Sequence, residues 1–198
     1  MNRQIMWAPW EGPGLEHLGL TRDHEDIVAD GVIIGMAEQE PFRMRYTITC
    51  DDHWRMRAAD VISLEDDRHE IRLRVDGAGR WTTAAGEPLP NLAGCLEVDI
   101  SATPFTNTLP IRRLALGAGQ ARDVAAAYIA IPAFTVEPVP QRYTLLDAHA
   151  DRDVYCYEGL RSGFRADLPV DGDGVVTDYP GVFKRVWTWQ EREVEVQP

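Results

Sequence analysis

Lysine is almost missing from this 198-residue chain: of its twenty basic residues, only Lys184 is not an arginine. The acidic residues outnumber the basic ones, and the net charge is −12. A surface of that sign repels phosphate backbones and anionic bilayers, so nucleic acid is excluded as a partner. Serine is scarce, at positions 63, 101 and 162 only, and none sits in a G-x-S-x-G elbow. The three cysteines, Cys50, Cys95 and Cys156, lie too far apart for a C-x-x-C pair and are odd in number. They make neither a disulfide framework nor a metal knuckle, and read as reduced, packed thiols. No apolar run approaches the roughly 18 residues needed to span a bilayer. No glycine-rich phosphate loop precedes a helix, which leaves no motif for a nucleotide cofactor. The opening "MNRQIMWAPWEG" lacks the apolar stretch of a secretory signal, and the expectation is a cytoplasmic protein without membrane insertion.

What is present is alternation. Turn signals recur about every ten residues, the spacing of an all-β chain. In "FRMRYTITC", Phe42, Met44, Tyr46 and Ile48 alternate with Arg43, Arg45, Thr47 and Thr49. A period of two sends the first set to one face of a strand and the second to the other. "HWRMRA" and "HEIRLRV" repeat the pattern, with Arg55, Arg57, Arg72 and Arg74 on the polar side. The arginine faces fit either a solvated wall of ion pairs or a polar inner wall facing a ligand. "CLEVDI" alternates too, and Asp76-Gly77 offers a turn before "RWTTA". "AGQARDVAAAYIA" has helical alanines but the apolar spacing of a buried strand, and is read as a strand.

Helix is rare. The best candidate is "ISATPFTNTLPIRRLAL", where Thr103 caps a helix that opens on Pro104. Pro110 then kinks it or starts a second stretch, and Phe105 and Leu109 face inward. Metal sites find little support. "DHED" (23–26) and "DDHW" (51–54) place adjacent ligands on opposite sides of an extended chain. "DLPVDGDGVVTD" carries valine where a calcium loop needs oxygen ligands, and reads as a turn. The chain is expected to fold as one domain over residues 1–198.

Several blocks align in order with one family. "GLEHLGL", "RYTITCDDHWRMR", "LRVDGAGRW", "GCLEVDISATPFTNTLPIRRL", "QRYTLL" and "VDGDGVVTDYPGVFKR" resemble a bacterial glycolipid-binding family over most of the chain. The resemblance implies a mainly β spiral roll, a long antiparallel curled sheet wrapped around a single short helix, and a homodimer. It also implies a lipid or glycolipid ligand, held without catalysis and without cofactor or metal. On that reading the expected ligand-binding residues are Arg45, Tyr46, Arg57, Phe105, Asn107, Arg112, Arg113 and Tyr143. Guanidiniums would bind an anionic or polar head group through charge-assisted hydrogen bonds. Two alternatives stand beside it: an enzyme using Arg112, Arg113, Glu16 and Asp51 in a polar cavity, and an interaction dimer whose roll is filled by its own side chains.

Overall fold

The computed structural model describes residues 2–23, 25–37, 39–65, 69–149 and 151–191. Strands β1 (Asn2–Pro9), β2 (Leu15–Arg22), β3 (Asp26–Ala37), β4 (Glu40–Asp51), β5 (Met56–Ser63), β6 (Glu70–Val75) and β7 (Trp81–Thr83) follow one another as antiparallel neighbours. Then come β8 (Glu97–Ile100), helix α1 (Thr108–Leu114), β9 (Ala121–Ala130), β10 (Thr135–Ala148), β11 (Arg152–Gly159) and β12 (Arg165–Asp171). Strands β13 (Asp178–Tyr179) and β14 (Phe183–Gln190) return to the first sheet beside β1, making nine strands. The second sheet runs β12-β11-β10-β9-β8. The protein is mainly β, as the alternation predicts, and the "AGQARDVAAAYIA" segment is the strand β9. The roll is divided between two sheets. The tail of the closing segment, 192–198, lies outside the described residues.

One pair departs from antiparallel order: β8 and β9 run parallel, with Glu97 opposite Ala126 and Ile100 opposite Ile129. Parallel neighbours cannot be joined by a hairpin and need a crossover of a dozen or more residues. The segment "ISATPFTNTLPIRRLAL", the best helix candidate of the sequence, lies in that crossover. Its 3₁₀ turn, Phe105–Asn107, runs directly into α1. Thr103 Oγ1 accepts from the Phe105 amide at 3.0 Å and holds the entry to the turn, but α1 begins at Thr108, four residues beyond the expected start at Pro104. Pro110 falls in the first turn of α1, where a missing N–H leaves no bond unmade. Phe105 and Leu109 pack into the core of the nine-stranded sheet, whereas Ile111 packs into that of the second sheet. The crossover therefore pins the two sheets together.

The turn after β12, which lies against Ile111 and Arg112 of α1, also fastens one sheet to the other. Asp171 Oδ1 accepts from the amides of Asp173 and Val175. Its Oδ2 accepts from Arg3 on β1 at 2.9 Å and Arg185 on β14 at 2.5 Å, and Arg3 also reaches Asp173. "VDGDG" is thus a turn clasped by arginine, as its failed calcium pattern suggested.

The arginine-bearing faces of β4 to β6 point to solvent. Arg45 pairs with Asp30, Arg57 with Asp26 at 2.8 Å, and Arg74 with Asp60 at 2.6 Å. The opposite faces supply Met44, Tyr46, Ile48, Met56, Val61, Ile71 and Leu73 to the core. Among the described residues no helix is long and apolar enough to cross a membrane.

Candidate functional site

Period-two alternation carries a carboxyl into the core. Glu16 shares a face of β2 with Leu18 and Leu20, and all three are buried. Its neighbours across the ladder are Trp7 on β1 and Ile33 on β3. Tyr46 reaches it from β4, one strand further off, because Gly31 lies between them. A Cβ at Gly31 would stand 2.3 Å from the Tyr46 ring, so only glycine lets the ring lie flat across β3. Glu16 Oε1 accepts from the Tyr46 hydroxyl at 2.5 Å and from Thr103 Oγ1 at 2.7 Å. Oε2 is buried and has no hydrogen-bond partner among the described residues. Burial pushes the Glu16 carboxyl up to about 7, against the pull of the Tyr46 and Thr103 hydrogen bonds.

A second carboxyl lies nearby on β8. Asp99 accepts from Thr106 Oγ1 at 3.0 Å and Gln141 Nε2 at 2.6 Å. Burial raises its pKa too, opposed by those two bonds. Behind it, the Tyr143 hydroxyl donates to Asn107 Oδ1 at 2.8 Å, and Asn107 Nδ2 donates to the Pro104 carbonyl. The polar groups of the crossover are therefore tied to both sheets.

Two hollows open against these carboxyls. The first has a volume of about 450 Å³ and is lined by Trp7, Leu15, Glu16, Ile33, Phe42, Ala102, Tyr128 and Phe183, among others. Leu15, Ile34 and Met36 at this hollow are exposed apolar side chains. No arginine, lysine or histidine lines it among the described residues. The second, about 560 Å³, lies along the inner side of the second sheet. It is lined by Asp99, Thr103, Asn107, Glu137, Val139, Tyr157, Arg161, Phe164 and Tyr179, among others. Its guanidinium, Arg161, is committed to Glu137 at 2.9 Å and to the Pro138 carbonyl. Ser101, Tyr128 and Val182 line both hollows, so the two adjoin. Thr103 lines the second and donates to Glu16, which lines the first. Glu16 accordingly stands at their junction.

The eight residues expected to hold a ligand scatter. Asn107 lines the second hollow. Tyr46, Phe105 and Tyr143 form a supporting layer: Tyr46 and Phe105 stack at 6.4 Å, and Tyr143 holds Asn107. Arg113 makes a two-pronged pair with the buried Glu97, at 2.8 and 2.7 Å. Arg112 lies over the Trp54 ring at 5.5 Å. Arg45 and Arg57 face solvent in their ion pairs. None of the four arginines lines either hollow, because each has a nearer carboxylate or ring. The constellation of Arg112, Arg113, Glu16 and Asp51 is not assembled either. Asp51 closes its own turn by accepting from the amides of His53 and Arg55. Asp51, Asp52 and His53 bring ligand atoms within 4.8 Å of one another on an open turn. His24 of "DHED" lies outside the described residues.

Sequence reasoning passed over Asp99 and Tyr128 and placed Glu16 with the wrong partners. A signal was available for Glu16. In "GLEHLGL" it shares the parity of Leu18 and Leu20, which puts a carboxyl on an apolar face.

The family described as "Putative glycolipid-binding" matches residues 4–185. A DUF1089 family protein from Pseudomonas aeruginosa, known from a crystal structure, is 39% identical with a TM-score of 0.77. The likeness covers 89% of this chain and 95% of that one. No curated protein matches the chain.

Proposed function

The chain belongs to the putative glycolipid-binding family, and on that premise we propose that its paired hollows bind a long-chain amphipathic ligand, a lipid or glycolipid, without catalysis. The observation that carries this is the unfilled, apolar-lined volume of about 450 Å³, bounded by exposed Leu15, Ile34 and Met36. That volume lies within the range of small-molecule sites, roughly 300–1,000 Å³. The chain portion lies in the first hollow. The polar head lies in the second, where Asp99, Asn107, Ser162 and Glu137 offer hydrogen-bonding groups. Acidic and neutral groups line it beside one committed guanidinium, so the head is uncharged and rich in hydroxyl groups. The three thiols, free and buried, support a reducing, cytoplasmic setting. The homodimer belongs to the same reading, and light scattering at working concentration checks it.

Extraction of the purified protein into organic solvent, followed by mass spectrometry, should release an acylated compound. Ala102→Phe, which fills the first hollow, should abolish uptake of a fluorescent acyl probe. A clean extract from protein that takes up no probe would sink the proposal. A second reading, an acid–base enzyme, rests on the raised pKa of Glu16. It predicts that a recovered acyl ester is cleaved during incubation, whereas the binding reading predicts its return unchanged.

A further inference from the structure

Glu16 has one oxygen to spare. Tyr46 and Thr103 both donate to Oε1, so in the neutral acid the proton belongs on Oε2. Oε2 is buried, and no group of the described residues accepts from it. A buried donor left unmatched costs free energy, and such groups in folded proteins call for a partner. Glu16 lines the first hollow and touches Thr103 of the second, which is where a head group would join its chain.

We propose that the Glu16 carboxyl, in its neutral form, donates a hydrogen bond from Oε2 to the uncharged oxygen that links head to chain, an ester or ether, and so selects ligands bearing an uncharged acceptor there. The inference rests on the site reading above and assigns the polar contact within it. The groups that face Glu16 keep that form accessible. Tyr46 on β4 and Tyr128 on β9 are both held protonated above the ordinary tyrosine range, chiefly by burial. Trp7 on β1 and Ile33 on β3 carry no charge. Glu11, before β2, is the other carboxyl lining that hollow. No cation there holds Glu16 ionised.

Ionisation turns the same oxygen from donor into acceptor, and an ester oxygen then faces a carboxylate across a dry contact. With Glu16 titrating at about 7, the neutral fraction falls from most of the protein at pH 6 to a few per cent at pH 8.5. Apparent affinity scales with that fraction, so the dissociation constant should weaken about 30-fold. The probe is 1-monodecanoylglycerol below its micelle concentration, titrated calorimetrically into the full chain. In Glu16→Gln the amide carbonyl can still accept from Tyr46 and Thr103, while the NH₂ donates at every pH. Its dissociation constant should be equal at pH 6 and 8.5. Independently of any variant, binding to the wild type at pH 8 should take up about 0.9 proton per ligand, read from titrations in buffers of different ionisation enthalpy.

Equal affinity of the wild type at both pH values would overturn the inference while leaving the site reading intact. So would proton release on binding, the signature of a complex that favours ionised Glu16. Persistence of the pH dependence in Glu16→Gln would assign it to another group. No binding of the probe at either pH would remove the site reading and this inference with it.

Discussion

The buried carboxyl that suits Glu16 for a ligand should cost the folded protein stability. An ordinary glutamate titrates near 4.5, and Glu16 is pushed up to about 7 by burial. The folded state therefore binds a proton more tightly than the unfolded chain does. Stability from this group is fully present below 4.5 and is lost as pH rises through 7. At 1.36 kcal/mol per tenfold change in proton affinity, the loss approaches about 3 kcal/mol above pH 7, most of it between pH 5 and 8. For a protein of this size that is a sizeable share of a total of about 5–15 kcal/mol. Glu16→Gln removes the ionisation while keeping an oxygen for Tyr46 and Thr103. Urea unfolding of both proteins at pH 5 and pH 8 isolates the effect. The wild type should lose about 2–3 kcal/mol more than the variant over that interval, and the variant should be the more stable at pH 8. Carboxylates lowered by arginine, such as Asp123 beside Arg142, act at acid pH and in the opposite sense. They are common to both proteins and cancel. Parallel stability curves for wild type and variant would refute the claim that Glu16 stays buried and charge-averse in the fold.

Two further perturbations test the frame around the site. Arg113→Met leaves Glu97 buried without its guanidinium, and should cost about 3–4 kcal/mol in urea unfolding. Adding Glu97→Met should recover most of that loss, because it is the orphaned charge and not the missing pair that destabilises; a double variant no better than the single one would reject the argument. Gly31→Ala places a methyl 2.3 Å from Tyr46, whereas Gly35→Ala meets Phe42 at 2.9 Å. The first should lower stability by about 2–3 kcal/mol and the second by clearly less, since Phe42 is only partly buried and can yield. Equal thermal shifts would show that the Tyr46 ring is not held where Gly31 permits it.

Much of the architecture could be read from period and punctuation. Alternation in β4, β5 and β6 put Tyr46 and Arg45 on opposite faces because a strand's side chains alternate whatever its neighbours are, but it left open which face meets solvent. The parallel pairing of β8 with β9 could not be read, since it depends on which strands meet after the crossover. The same limit decided the site. Arg45, Arg57, Arg112 and Arg113 were reasonable choices for a head group by chemistry. Arg45, Arg57 and Arg113 are instead paired with carboxylates distant in sequence, Asp30, Asp26 and Glu97, and Arg112 lies over the Trp54 ring.

What remains exposed to a ligand follows from that pairing. With 32 acidic and 20 basic residues, the chain has more carboxyls than guanidiniums to neutralise them. Several of the described ion pairs use arginine to fasten strand to strand or turn to sheet. Glu16 and Asp99 share in none of these pairs; their partners are hydroxyls and one amide. Such partners stabilise a carboxylate less than a guanidinium does, so burial dominates and both pKa values rise. In this acidic chain the two carboxyls whose pKa is raised among the described residues, Glu16 and Asp99, are ones that arginine does not reach. Glu16 can carry a proton near neutrality, and on the reading proposed above that property lets an acidic protein present a hydrogen-bond donor to an uncharged ligand.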